Sequence, residues 1–204
     1  MEKIKVSLQN ITHEDEKRIN DARFMKNGVM DDNNYRYALG VNGKNPLIFF
    51  GINPSTATPE NYDQTMKRAK YFALKNNYDS WIMFNIYPQR ATNPNNLANE
   101  CDENIHKENI KIINKLIPSN STIVAAWGNL ITKRAYLINC LIDIVKALKN
   151  KEIKWKRISC LTKKGNPKHL LYLSNDEKMF DFNIEEYKNN LSRMGIKINK
   201  EQKK

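Results

Sequence analysis

A polar segment directly after the most apolar stretch of the chain holds the first groups that could bind a ligand. Residues Leu47–Phe50 form an uninterrupted apolar run, which is typical of a strand buried on both faces of a parallel sheet. Ligands of open α/β sheets bind beyond the carboxyl ends of strands, so the amide and hydroxyl groups that come next form a candidate site. An ordinary strand-to-helix turn is the alternative, because Asn, Pro and Ser favour turns. The candidate residues of this segment are Gly51, Asn53, Pro54, Ser55 and Thr56.

Three later apolar segments lead into polar loops in the same way, at residues 81–84, 123–126 and 157–161. Because the carboxyl ends of parallel strands meet at one edge of a sheet, we expect all four loops to lie close together. These residues also have purely structural alternatives, such as a strand-end cap for Asn85 or core packing for Trp127. The further candidates in these loops are Asn85, Arg90, Trp127, Gly128, Lys168 and His169.

The elements between these loops predict an α/β fold. Asp63 is expected to cap a helix over residues 64–77, whose apolar positions repeat at helical spacing. Further helices are predicted over residues 102–116 and 130–149. The repeated order of strand, loop and helix predicts a three-layer sandwich, in which a central, mostly parallel four-stranded sheet carries helices on both faces.

The two ends of the chain differ from this central region. Residues 1–34 are predicted to be an N-terminal extension that packs on the domain and includes a short edge strand. The α/β domain is expected over residues 35–185, and its first strand, Tyr35–Leu39, is expected to form a hairpin with the buried strand. Residues 186–204 are predicted to be a basic tail, since they contain six basic and two acidic side chains.

The chain is basic, because 34 Lys and Arg residues against 22 Asp and Glu residues give a formal net charge of +12. The tail contributes +4 of this charge, so the rest of the chain carries +8. Such a charge favours a polyanionic partner, either nucleic acid or the phosphate of a nucleotide. An AT-rich genome, which raises the Asn and Lys content of proteins in general, is the alternative explanation.

Other features predict a cytoplasmic protein without a bound metal or cofactor. The cysteines, Cys101, Cys140 and Cys160, have no CxxC spacing, so we predict reduced thiols and neither a zinc site nor a disulfide framework. The N-terminal residues lack the apolar region of a signal peptide, and no run of 18 apolar residues exists, so no membrane span is expected. Nothing in the sequence predicts an oligomeric state.

About two thirds of the chain resembles an uncharacterised family, domain-of-unknown-function family 1643. Members of that family show an ordered series of motifs, which this chain matches between residues 35 and 173. The Asp-x-Thr-x-x-Arg motif of the series adds Asp63 and Arg68 to the candidate pocket residues. The matching segments are Arg36-Tyr37, Asn53 to Ala57, Asp63 with Thr65 and Arg68, Asn85 with Arg90 to Thr92, Ala126 to Gly128, and Gly165 to Tyr172.

Shorter motifs resemble the uracil-DNA glycosylase superfamily, in particular its mismatch-specific branch. Residues 51–54, Gly-Ile-Asn-Pro, match the first motif of that branch, and residues 123–128 are similar to a superfamily strand that ends in Leu-Trp-Gly. The resemblance implies the fold of these proteins and cleavage of the N-glycosidic bond of a nucleobase. It also implies that Asn53 holds a water, that Asn85 pairs with the base edge, and that His169 stabilises the departing base.

Departures from the glycosylase pattern favour an alternative, a non-catalytic module that binds a nucleotide, a modified base or a nucleotide signal. Asn53 stands where efficient glycosylases carry Asp, and an amide orients water but is a poor base. Leu170 follows His169 where the pattern has Pro, and residues 55–56 offer no aromatic ring to stack on a base. The sequence therefore predicts a protein that recognises a nucleobase or nucleotide, as an N-glycosidase or as a binding module.

Overall fold

A six-stranded mixed sheet forms the centre of the fold. The computed structural model describes residues 34–41, 43–58 and 61–191. The order across the sheet is β1-β3-β2-β4-β5-β6; β3, β2, β4 and β5 pair in parallel, whereas β1 and β6 are antiparallel at the edges. The strands are β1 (Ala38–Val41), β2 (Pro46–Gly51), β3 (Ser80–Asn85), β4 (Thr122–Ala125), β5 (Lys154–Ile158) and β6 (Met179–Asp181).

One expectation about the sheet holds only in part, and another is wrong. The four inner strands pair in parallel, as expected, but the sheet has six strands and is mixed, because β1 and β6 add antiparallel edges. The predicted hairpin does not form, because β1 pairs antiparallel with β3, with Ala38 opposite Phe84, while β3 and β4 occupy both edges of β2. A turn signal shows that the chain reverses but does not select the strand that it pairs with. The edge strand β6 has only three residues, too few for a clear pattern.

Three helices connect the inner strands, and a fourth follows β6. They are α1 (Gln64–Lys75), α2 (Glu103–Leu116), α3 (Ala135–Ala147) and α4 (residues 184–191). The backbone N–H of Met66 donates to Oδ1 of Asp63 at 2.9 Å, so Asp63 caps α1 as expected. The predicted helix over residues 130–149 begins only at Ala135, because Gly128–Thr132 forms a separate 3-10 turn.

The alternating side chains of the buried strands separate the helices into two layers. Leu47 and Phe49 of β2 pack in a cluster with Phe72 of α1, on one face of the sheet. Ile48 and Phe50 point to the other face and pack in a cluster with residues of α2, α3 and α4. The fold is therefore α/β, and all of these strand residues are fully buried.

The expected N-terminal extension with its edge strand, up to residue 33, lies outside the described residues, as do residues 192–204 of the expected tail. Within the tail region, Tyr187 and Leu191 of α4 are buried in the core. The three cysteines are unpaired. No helix in the described ranges is long and apolar enough to cross a membrane.

Replacing Gly40 tests the pairing of β1 with β3. A Cβ atom at position 40 would lie 2.2 Å from the carbonyl oxygen of Trp81 and 2.6 Å from Cα of Ile82, both of which belong to the backbone of β3. We expect Gly40→Ala to lower the free energy of unfolding by about 1–3 kcal/mol, because the strands must separate to admit the methyl group. Urea denaturation measures this change, and an unchanged midpoint would contradict the observed pairing.

Candidate functional site

A cavity of about 880 Å³ lies where the inner strands end. Its volume falls within the range of pockets for small ligands, roughly 300–1,000 Å³. The walls come from the segments that follow β2, β3, β4 and β5, together with the start of α1. These loops therefore meet at one edge of the sheet, where ligands of open α/β sheets bind.

Ten of the predicted site residues line the cavity, and three do not appear among its described lining residues. Pro54 lies within the first loop, where its carbonyl accepts from the N–H of Ala91. Arg68 donates to Oδ1 of Asn175 at 3.2 Å, and Arg90 donates to the carbonyl of Ser55 at 3.0 Å. The predicted residues on the cavity wall are Gly51, Asn53, Ser55, Thr56, Asp63, Asn85, Trp127, Gly128, Lys168 and His169.

The floor of the cavity is formed by two residues that are neighbours across the sheet. Gly51 ends β2 and pairs in register with Asn85, which ends β3. Asn85 is 97% buried, yet its Nδ2 has no hydrogen-bond partner among the described residues. A Cβ at position 51 would lie 3.0 Å from Oδ1 of Asn85, so the glycine leaves room for this amide. An unsatisfied buried amide in a residue that lines a cavity is a candidate for binding a ligand acceptor.

A second buried amide fixes the backbone of this strand end. Nδ2 of Asn109, on α2, donates to the carbonyls of Asn85 and Ile86 at 3.0 and 3.2 Å. Asn109 is fully buried and lies on the face of the sheet opposite to α1. The backbone at Asn85 is thus held by a residue that sequence patterns did not single out.

The loops after β2 and β3 are held together by hydrogen bonds between their backbones. The N–H groups of Ile86 and Tyr87 donate to the carbonyls of Gly51 and Ile52 at 3.0 and 2.9 Å. Asn53 adds to this, because its Nδ2 donates to the carbonyl of Ala91 at 2.7 Å. Since Nδ2 faces carbonyl oxygens, the remaining polar atom of the Asn53 side chain is the acceptor Oδ1.

His169 lines the cavity and carries a hydrogen-bond donor. Its Nδ1 accepts from the N–H of Leu171 at 3.3 Å and caps the 3-10 turn Leu170–Tyr172. In the neutral ring the proton must then reside on Nε2. Burial lowers the pKa of His169, although the nearby Asp63 carboxylate acts in the other direction. The neutral form therefore predominates at pH 7, with Nε2–H as its free donor.

The cavity wall next to His169 depends on Gly128, a glycine with a left-handed backbone. Gly128 has φ of +63°, and its N–H donates to the carbonyl of Pro167 at 2.9 Å. A Cβ at this position would lie 3.2 Å from Cβ of His169, so a side chain here would be strained and would press on the histidine. Trp127 beside it is fully buried, so this residue is part of the core as well as of the cavity wall.

The charged groups of the site are few. Asp63 supplies the one carboxylate among the described lining residues, and one of its oxygens already caps α1. Lys168 lines the cavity while its Nζ lies 3.0 Å from the hydroxyl of Ser159. Arg36, which is 96% buried, also reaches the cavity and donates from Nη1 to the carbonyl of Ala57. The cavity surface is mostly apolar, and these few charged groups give it a weakly cationic character.

Sequence reasoning missed several lining residues. Arg36 belongs to the Arg-Tyr pair that opens the family motif series, and that motif is the signal that could have identified it. Asn129 and Thr162 carry no signal of this kind, because their positions depend on contacts between distant loops. The other lining residues that were not predicted are Gln64, Thr65, Met66, Met83, Ala91, Thr92, Pro94, Leu130, Leu171 and Tyr172.

Comparisons with known proteins identify the family of this chain. The family described as "Protein of unknown function (DUF1643)" matches residues 36–171, and the chain belongs to it. Searches of curated proteins and of solved structures find no match. The cavity-lining residues all fall within the matched range except Tyr172, which follows directly after it.

The pKa of His169 gives a test of the site geometry. We expect its ring to titrate below the ordinary value of about 6.5, because burial disfavours the imidazolium. The unfolded chain then binds this proton at a higher pH than the folded protein, so stability falls as the pH is lowered from about 6.5 through the folded-state pKa. Nuclear magnetic resonance of the ring nitrogens measures the titration, and His169→Gln assigns the signal. A pKa at or above 6.5 would contradict the buried position.

Proposed function

We propose that this protein binds a nucleobase, carried by DNA or by a nucleotide, and cleaves its N-glycosidic bond. The observation that carries the proposal is the buried Asn85 amide on the cavity floor, whose Nδ2 lacks a partner among the described residues. A side-chain amide offers a donor and an acceptor side by side, which matches the paired acceptor and donor on the edge of a base. The cavity is also large enough for a base with its sugar.

The position of His169 supports a role in the departure of the base. When an N-glycosidic bond breaks, the sugar becomes positive and the base becomes negative. The Nε2–H of a neutral His169 can donate to a base oxygen as this negative charge develops. The neutral ring keeps its Nε2–H in this step, so it supplies a hydrogen bond to the departing base and not a proton.

Two groups at the loop after β2 and the start of α1 can act on a water molecule. Oδ1 of Asn53 is available as an acceptor, since Nδ2 is occupied by Ala91 and Pro54. Asp63, near His169, is the carboxylate that could accept a proton from the attacking water. In this proposal Asn53 orients the water and Asp63 acts as the general base.

A second candidate function is binding without cleavage, of a nucleotide, a modified base or a nucleotide signal. Asp63 is the specific observation that favours it, because its Oδ1 is already engaged by the N–H of Met66. Because Oδ1 is occupied, only the other oxygen of the carboxylate is left to contact a water. The same Asn85 amide would recognise the base in either case.

The basic surface supports nucleic acid or a nucleotide phosphate as the partner. The formal net charge is +12, and Lys168 and Arg36 bring cationic groups to the cavity itself. Phosphate contacts of this kind add affinity that falls as the salt concentration rises. A cytoplasmic location, where such partners are present, is part of the proposal.

Replacing Asn85 separates recognition from stability. We expect Asn85→Ala to weaken the binding of free uracil or of a uracil nucleotide by about tenfold to a hundredfold, because a buried hydrogen bond to the ligand is lost. The free energy of unfolding should stay the same or rise, since the variant removes a buried amide that lacks a partner among the described residues. Calorimetric titration and urea denaturation measure the two effects.

Asn104 offers a matched control for that variant, because it is an exposed asparagine on α2. Asn104→Ala should leave ligand binding unchanged. Binding that is equally strong in wild type and in Asn85→Ala, across a panel of bases and nucleotides, would contradict the proposed recognition.

Asp63→Asn distinguishes cleavage from binding. Asn caps a helix about as well as Asp, so α1 should remain intact while the charge is lost. We expect release of the base from uracil-containing, mismatched or modified DNA to fall by about 10²-fold or more, with ligand binding retained. Release that is unchanged in the variant would exclude Asp63 as the base. Recovery of only intact ligand from the wild-type protein would instead favour the binding module.

A further inference from the structure

The buried hydroxyl of Tyr187 connects two segments of the cavity wall, one that follows β4 and one that follows β5. The indole N–H of Trp127 donates to the hydroxyl of Tyr187 at 2.9 Å, and this hydroxyl donates to Oδ1 of Asn166 at 2.8 Å. All three residues are more than 90% buried. Burial also raises the pKa of Tyr187, so its hydroxyl stays protonated and can donate.

Each end of this chain of hydrogen bonds continues into a cavity wall. Nδ2 of Asn166 donates to Oδ1 of Asn129 at 3.0 Å, and Thr162 donates to the same oxygen at 2.8 Å. Asn129, Thr162 and Trp127 all line the cavity. Tyr187 is therefore the point at which the segment after β4 and the loop after β5 are joined beneath the surface.

The same loop determines where His169 lies. Asn166 is followed by Pro167, whose carbonyl accepts from the N–H of Gly128, and His169 packs directly against Gly128. The backbone between Asn166 and His169 is thus fixed at Asn166 by Tyr187 and at Pro167 by Gly128. Because Asn166 lies only three residues before His169, a shift of Asn166 would also displace the His169 ring.

Tyr187 lies on α4, outside the part of the chain that matches the family, which ends at residue 171. Its ring packs against those of Trp127 and Phe182, with ring centroids 5.7 and 5.1 Å away. The segment after β6 thus contributes both packing and a hydrogen bond to the underside of the site.

We propose that Tyr187 is a positioning residue, whose hydroxyl holds the loop of residues 162–169 and so orients His169 toward the cavity. The chain after residue 171, where the family match ends, then contributes to the geometry of the site. The effect on ligand binding rests on the proposed function, in which His169 donates to the base; the effect on the loop does not.

Tyr187→Phe tests this proposal, because it removes the hydroxyl and keeps the ring. Without the hydroxyl, the Trp127 indole N–H loses its acceptor and Oδ1 of Asn166 loses its donor, and both atoms are buried. We expect the amide hydrogens of residues 162–169 to exchange about tenfold faster or more, as an unsatisfied buried group implies. The ring nitrogens of His169 should no longer report a single Nε2–H tautomer.

Tyr136→Phe is the matched control. Tyr136 has the same fractional exposure as Tyr187, 8%, but its hydroxyl has no hydrogen-bond partner within the described ranges. This variant should leave loop exchange and the His169 tautomer as they are in the wild type. Urea denaturation of both variants separates a local change in the loop from a general loss of stability.

The outcomes distinguish this proposal from the proposed function. Faster loop exchange and a changed His169 tautomer in Tyr187→Phe alone would support the positioning role, even if the wild-type protein bound no nucleobase. Free uracil that binds the wild type should bind Tyr187→Phe about tenfold more weakly. An unchanged loop and tautomer in Tyr187→Phe, or the same change in Tyr136→Phe, would overturn the proposal.

Discussion

The pairing of Gly51 with Asn85 at the ends of two parallel strands is the contact on which the site depends. Parallel register brings the two residues side by side, and the absence of a side chain at Gly51 leaves space for the Asn85 amide. The amide then lies buried on the floor of a cavity, with Nδ2 lacking a partner among the described residues. Such a group lowers stability by about 1–3 kcal/mol, which is a large part of the 5–15 kcal/mol typical of a domain. A bound ligand that accepts from Nδ2 would remove that cost.

The other polar groups of the site differ from Asn85, because most of them already have protein partners. Nδ2 of Asn53 is bound to Ala91, one oxygen of Asp63 caps α1, and Nδ1 of His169 accepts from Leu171. These internal bonds fix the direction of each remaining atom. The cavity is therefore a preorganised arrangement of one donor at His169, one acceptor at Asn53 and an amide at Asn85, which suits a ligand with a polar edge.

Much of the site could be predicted from the sequence, because it rests on local order. Because a polar loop follows each buried parallel strand, Asn53, Asn85 and His169 lie at the same edge of the sheet. The pairing of β1 and the existence of β6 could not be predicted, since short edge strands carry little periodic signal. Asn109 and Tyr187 were missed for another reason. Each acts through a hydrogen bond to a residue more than 20 positions away, which no spacing pattern reveals.

A crystal structure of the protein soaked with free uracil tests the central claim most directly. We expect the base to lie on the cavity floor, with an oxygen within hydrogen-bond distance of Nδ2 of Asn85 and a second polar contact to Nε2 of His169. An empty cavity at a saturating concentration of uracil, or a bound base that leaves Nδ2 of Asn85 without a partner, would contradict it.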